Sequence, residues 1–114
     1  MNRVQIYNLI ETVIPTYSVG QIKGPITKDC CILRRNMNTP SMSNGEGYWD
    51  NWTIDIYSPK GPTQIDAYVQ QLFRILQANN CEVQNLIDGD YYDEVMRAFS
   101  TSITFRIPKT YKYN

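Results

Sequence analysis

Between residues 52 and 107 the hydrophobic period changes from two to about 3.6 and back to two, which constrains the fold more than any other feature. Trp52, Ile54 and Ile56 alternate with Thr53, Asp55 and Tyr57, so 48–57 reads as a strand with one apolar and one polar face. Ile65, Val69, Leu72 and Leu76 then recur at intervals of four, three and four, and Tyr68, Phe73 and Ile75 widen the stripe. That pattern predicts a helix over 63–78. Over 101–107 the apolar residues return to odd positions, Ile103, Phe105 and Ile107, which predicts a second strand. A helix that is apolar on one side must bury that side, and the flanking strands supply the surface.

The remaining segments fit around this frame. Val4, Ile6, Tyr7, Ile10, Val13 and Ile14 form one stripe, giving a first helix with Asn2 as N-cap and an end near Val13, ahead of Pro15. Residues 16–25 read as a connector with a brief extended piece at 17–19. Residues 29–35 read as a strand carrying Cys30, Cys31, Ile32 and Leu33. Residues 36–47 are turn-formers with few anchors, a loop longer than packing requires and therefore functional or mobile. Thr63 and Asp66 resemble a capping box for the second helix, and Asn79-Asn80 supplies a left-handed exit. Residues 81–87 read as a strand, with Asp88-Gly89 as a hairpin signal. Residues 91–99 fit helical and strand spacing equally, and Pro108 closes the last strand. The predicted class is α+β: a mostly antiparallel sheet with two helices on one face, in one domain over 1–114.

Composition removes several functions. The chain has 114 residues, no histidine, and eleven basic residues against eleven acidic ones. Histidine-based acid–base chemistry, Ser-His-Asp and Cys-His pairs, and histidine-ligated metal are excluded. Zero net charge removes the whole-molecule argument for nucleic-acid or anionic-membrane binding. No apolar run is long enough to span a membrane, and the first residues do not read as a secretory signal. Cys30, Cys31 and Cys81 lack CxxC spacing and read as small buried hydrophobes; on a strand, the first two point to opposite faces. Asp88, Asp90, Asp93 and Glu94 lack the calcium-loop pattern and read as a solvated turn. No catalytic, cofactor or metal residue emerges.

Interaction residues do emerge. Arg34, Arg35, Arg97, Arg106 and Lys109 are scattered basics: a stripe if the strands of 34 and 106 are neighbours, otherwise ordinary solvent-face charge. Tyr48 and Trp49 stand at the end of the 36–47 loop, and Tyr91-Tyr92 at the later turn. Such aromatics are interface anchors or core rim. The candidate interface set is Arg34, Arg35, Met37, Met42, Tyr48, Trp49, Tyr91, Tyr92 and Arg97.

Three strings, read with the element order, resemble a family. They are Trp52-Thr53-Ile54-Asp55-Ile56-Tyr57-Ser58, the helix Gln64-Ile65-Asp66-Ala67-Tyr68-Val69, and Arg97-Ala98-Phe99-Ser100-Thr101-Ser102-Ile103-Thr104-Phe105-Arg106-Ile107. They are similar to the tail terminator, or tail-completion, proteins of long-tailed bacteriophages. The resemblance implies a non-enzymatic ring-forming protein without cofactors, typically a hexamer, that caps the tail tube and stops its polymerisation. Its implied partners are further copies of itself, the tail tube protein and a neck or head-completion protein, with genomic DNA passing non-specifically through the lumen. Its implied location is the tail–neck junction of the virion, after assembly in the host cytoplasm. Ring contacts are expected at sheet edges and exposed aromatics. The residues also leave open another connector or tube-like subunit, or a small α+β adaptor domain.

Overall fold

The two period-two segments become the longest strands and pair with each other. The computed structural model describes residues 1–40, 47–85 and 89–110. In chain order these residues form α1 (Arg3–Glu11), β1 (Thr16–Ser18), β2 (Cys30–Arg35), β3 (Thr39–Pro40), β4 (Gly47–Ser58), α2 (Pro62–Ala78), β5 (Glu82–Asn85), β6 (Tyr91–Asp93) and β7 (Ala98–Thr110). β4 and β7 run antiparallel from Gly47 opposite Thr110 to Ser58 opposite Phe99. β2 joins the other side of β4 antiparallel, and β1 adds to β2 as the parallel strand. β5 and β6 both pair with β7, and β3 pairs with the start of β4. The path across the sheet is β1-β2-β4-β7-β5.

Both helices lie on one face, as the apolar stripes require. Ile6 and Ile10 of α1 and Ile65, Val69, Leu72 and Leu76 of α2 pack with Leu33, Trp52, Ile54, Ile56, Ile103 and Phe105 in one buried cluster. Cys31 belongs to this core, while its neighbour Cys30 faces the other way, in a small second cluster with Tyr57, Met96 and Ala98. The connector after β1 covers that second cluster with Ile22 and Ile26, and Ile26 N–H donates to the Met96 carbonyl at 3.0 Å. The helix-free face of β4 is therefore not uniformly wet: Thr53 and Tyr57 are buried.

Several local expectations are corrected. α1 ends at Glu11, before the expected end near Val13, and its N-terminus is a full capping box: Asn2 and Gln5 each accept the other's backbone N–H at 2.9 Å. The Thr63/Asp66 box does not form. Pro62 already occupies the first turn of α2, so Thr63 lies inside the helix, and Gly61 takes the cap position at φ 131° with no side-chain bond. The left-handed exit does form, at Asn80 with φ 62°. The 36–47 segment is anchored over 36–40, because the Asn36 N–H donates to the Asn51 carbonyl at 2.8 Å and β3 pairs with Trp49 and Tyr48. Its residues 41–46, with Met42, lie outside the described residues, as does Asp88 of the hairpin signal. β5 and β6 do not pair with each other: they follow one another along the same side of β7. Residues 91–99 resolve into β6, a turn and the start of β7. β7 continues past Pro108 to Thr110; β5 reaches only Arg106, so Pro108 has one strand neighbour and its missing N–H breaks no pairing on the other side.

Candidate protein-interaction site

Strand alternation assigns the interaction candidates to different faces. Arg34 sits on the helix-free face, opposite Thr53 in register, and its Nε donates to Asp55 Oδ2 at 2.9 Å. Ser102 Oγ donates to the other Asp55 oxygen at 2.6 Å, so one carboxylate stitches β2, β4 and β7 together. Arg34 also donates to Asn36 Oδ1 at 3.2 Å, and Asn36 Nδ2 donates to Thr53 Oγ1 at 2.8 Å. Asn51 Nδ2 holds the Met37 carbonyl and Thr39 Oγ1 at 3.0 and 3.1 Å. Trp49, half-buried, carries the Arg106 guanidinium 3.7 Å from its ring centroid, and Arg106 pairs with Glu82 at 2.9 Å. Met37, whose carbonyl Asn51 holds, is highly exposed.

Arg35 is on the opposite face. Its guanidinium lies 4.3 Å from the centroid of buried Trp52, with Arg3 of α1 at 5.1 Å, and its Nε is 3.2 Å from Asp50 Oδ1. Arg34 and Arg35 thus form no common patch. Nor do Arg34 and Arg106 form a basic stripe, since β4 separates their strands and each is matched to a carboxylate. Tyr48 is half-buried and stands opposite Lys109 in register. Lys109 Nζ donates to the Met1 carbonyl, tying the end of β7 to the start of α1.

Tyr91, Tyr92 and Arg97 form a second group at the other end of β7. Tyr91 pairs with Ser100 whereas Trp49 pairs with Pro108, a separation of about 27 Å along the strand. Tyr91 and Tyr92 are 49% and 45% exposed. Tyr92 stands edge-on to Phe99, centroids 5.2 Å apart. Arg97 closes the β6–β7 turn in the left-handed region at φ 53°.

Two further features escaped the sequence reading. Asp50 shares the parity of Trp52, Ile54 and Ile56; a carboxylate in an apolar register demands a cation, and that parity was the available signal. Asp29 accepts from Ser58 Oγ at 2.7 Å and Tyr68 Oη at 2.8 Å, anchoring the connector to β4 and α2. It borders a cavity of about 260 Å³ lined also by Pro15, Tyr17, Ile22 and Lys28.

The chemistry available at these groups is that of contact. Burial pushes the Cys30 thiol up to about 11 and the Cys31 thiol up to about 12, and raises Cys81. Thiols so shifted stay protonated near neutral pH and are poor nucleophiles. Both Asp55 oxygens are occupied by donors. Among the described residues no group of three metal-ligating side chains gathers, and no helix is long and apolar enough to cross a membrane. The protein-family models and curated proteins contain no match to this chain.

Proposed function

We propose that this chain is a non-enzymatic virion subunit, a tail terminator that forms a ring, six copies in the family it resembles, at the tail–neck junction. It caps the tail tube, stops its growth and receives a neck or head-completion protein, while DNA passes through the lumen. The observation that carries the reading is where the resembling strings fall. They occupy β4, the first half of α2, and the turn and strand of β7, which are the central strand pair and the helix packed on it. The charge pairing on the helix-free face supports it too, because matched Arg–carboxylate pairs leave little to grip a passing phosphate backbone.

The test is deletion of the gene in the phage that carries it, with complementation in trans. Overlong or headless tails by electron microscopy are expected without the protein, and normal particles with it. Joined particles with tails of normal length in its absence would overturn the reading. Immunogold label along the tube instead of at its neck end would assign the chain to a tube-like subunit.

A further inference from the structure

An unpaired strand edge invites another strand, and folded proteins block such edges with charges, prolines, bulges or side-chain caps. Most edges of this sheet carry such a guard. On β1 the Thr16 and Ser18 N–H groups are taken by Glu11 Oε2 and Gln21 Oε1, each at 2.6 Å. β3 ends in Pro40, and the free side of β7 beyond Arg106 contains Pro108 and Lys109. β5 has a register shift between Val83 and Asn85.

β6 has no proline, bulge or register shift; what stands on it is charge, Asp93 at its end and Asp90 and Glu94 beside it, which turns away acidic edges and admits basic ones. Among the described residues it pairs with β7 alone, in unbroken register from Tyr91 opposite Ser100 to Asp93 opposite Ala98. It is also held in place. Asp93 Oδ1 accepts the Val95 and Met96 N–H groups at 3.0 Å, Met96 is buried, and its carbonyl accepts from Ile26. The β6–β7 hairpin therefore presents Tyr91, Tyr92 and, in its turn, the 69%-exposed Val95 in a set geometry, which lowers the ordering cost of binding.

We propose that β6 is a strand-addition site for an extended, lysine- or arginine-bearing segment of a different protein. Charge selects the segment. Asp90, Asp93 and Glu94 flank the edge against Arg97, and none of the four belongs to an ion pair among the described residues. Backbone hydrogen bonds to β6 supply affinity, and alternate side chains of the segment meet Tyr91 on one face and Tyr92 on the other. A second copy of this chain is the poorer occupant. Its own other edges are guarded. Pairing β6 with β6 would set three carboxylates per copy against three, which charge repulsion disfavours.

The probe is a fluorescein-labelled decapeptide alternating lysine with valine and threonine, its control the same peptide with glutamate for lysine. Anisotropy titration should show saturable binding of the lysine peptide, at least tenfold tighter than the control. Its addition should slow deuterium exchange at the 91–93 amides. Asp90→Lys/Glu94→Lys, with an unchanged circular dichroism spectrum, should weaken the lysine peptide at least tenfold. Absence of binding, equal affinity for both peptides, or unchanged exchange at 91–93 would overturn the proposal. So would a self-dimer in sedimentation that Tyr92→Ala abolishes. None of these readouts depends on a tail or a ring.

Discussion

Two side-chain groups carry consequences beyond their neighbourhood. Asp50 is 3% exposed and relies on Arg35, which also covers Trp52. Arg35→Met keeps apolar cover over the indole but leaves the carboxylate without its cation, at an expected cost of about 2 kcal/mol in urea unfolding. Arg35→Met/Asp50→Val should recover most of that loss, because an apolar pair replaces a buried charge. A single-variant loss below about 0.5 kcal/mol would show that Asp50 is satisfied without Arg35. The buried thiols predict an alkaline limit. In the unfolded chain they release protons near their ordinary value of 9, whereas native Cys30 and Cys31 hold theirs to about 11 and about 12. The native state then binds more protons, so stability is level below pH 9 and falls as pH rises through that window. Tyr68, raised to about 12 chiefly by burial, acts in the same direction. Melting temperature should therefore decline above about pH 8.5, and less steeply in Cys31→Ala.

At the scale of elements, α2 is the piece that closes the core. Its buried residues Ile65, Val69, Leu72 and Leu76 cover the β4–β7 pair, and Leu72 is fully enclosed. Leu72→Ala should cost roughly 2–5 kcal/mol, with little change in the slope against denaturant. Equal loss on Gln71→Ala, an exposed neighbour in the same helix, would mean that burial of Leu72 does not set the value, since alanine is the stronger helix former at both positions. The α2 stripe was legible in the sequence because four residues repeat a helical face with nothing competing. Its cap was not: Thr63-x-x-Asp66 has the spacing of a box, but Pro62 claims the first helical position and moves the cap two residues back, to Gly61. The 91–99 segment could not be resolved from periodicity, since Tyr92, Val95, Met96 and Phe99 fit a helix as well as a hairpin. Pairing of β6 with β7 and burial of Met96 against Tyr57 settle it as a hairpin.

The whole molecule is organised around contacts between distant parts of the chain. Gly47 to Ser58 meets Phe99 to Thr110 across the length of α2, β5 and β6. Such non-local pairing makes folding slow relative to helical proteins of this size. Native-state hydrogen exchange should place β4 and the centre of β7 at the global stability, with β1 and β6, each joined to one strand, opening first. Protection of β6 equal to that of β4 would contradict this. Local periodicity was enough to identify the class, the faces of α2, the apolar parity of β4 and the opposed directions of Cys30 and Cys31, because each follows from spacing along a few residues. The candidate interface could not be read the same way. Arg34 and Arg35 adjoin in the chain, yet the pleat sends one to Asp55 and the other to Trp52 and Asp50. Strand order put β4 between Arg34 and Arg106, and pairing with β7 gave Tyr91 and Tyr92 their place at an edge. Period and parity are properties of neighbouring residues, whereas strand order, edge exposure and charge pairing depend on which distant segments meet.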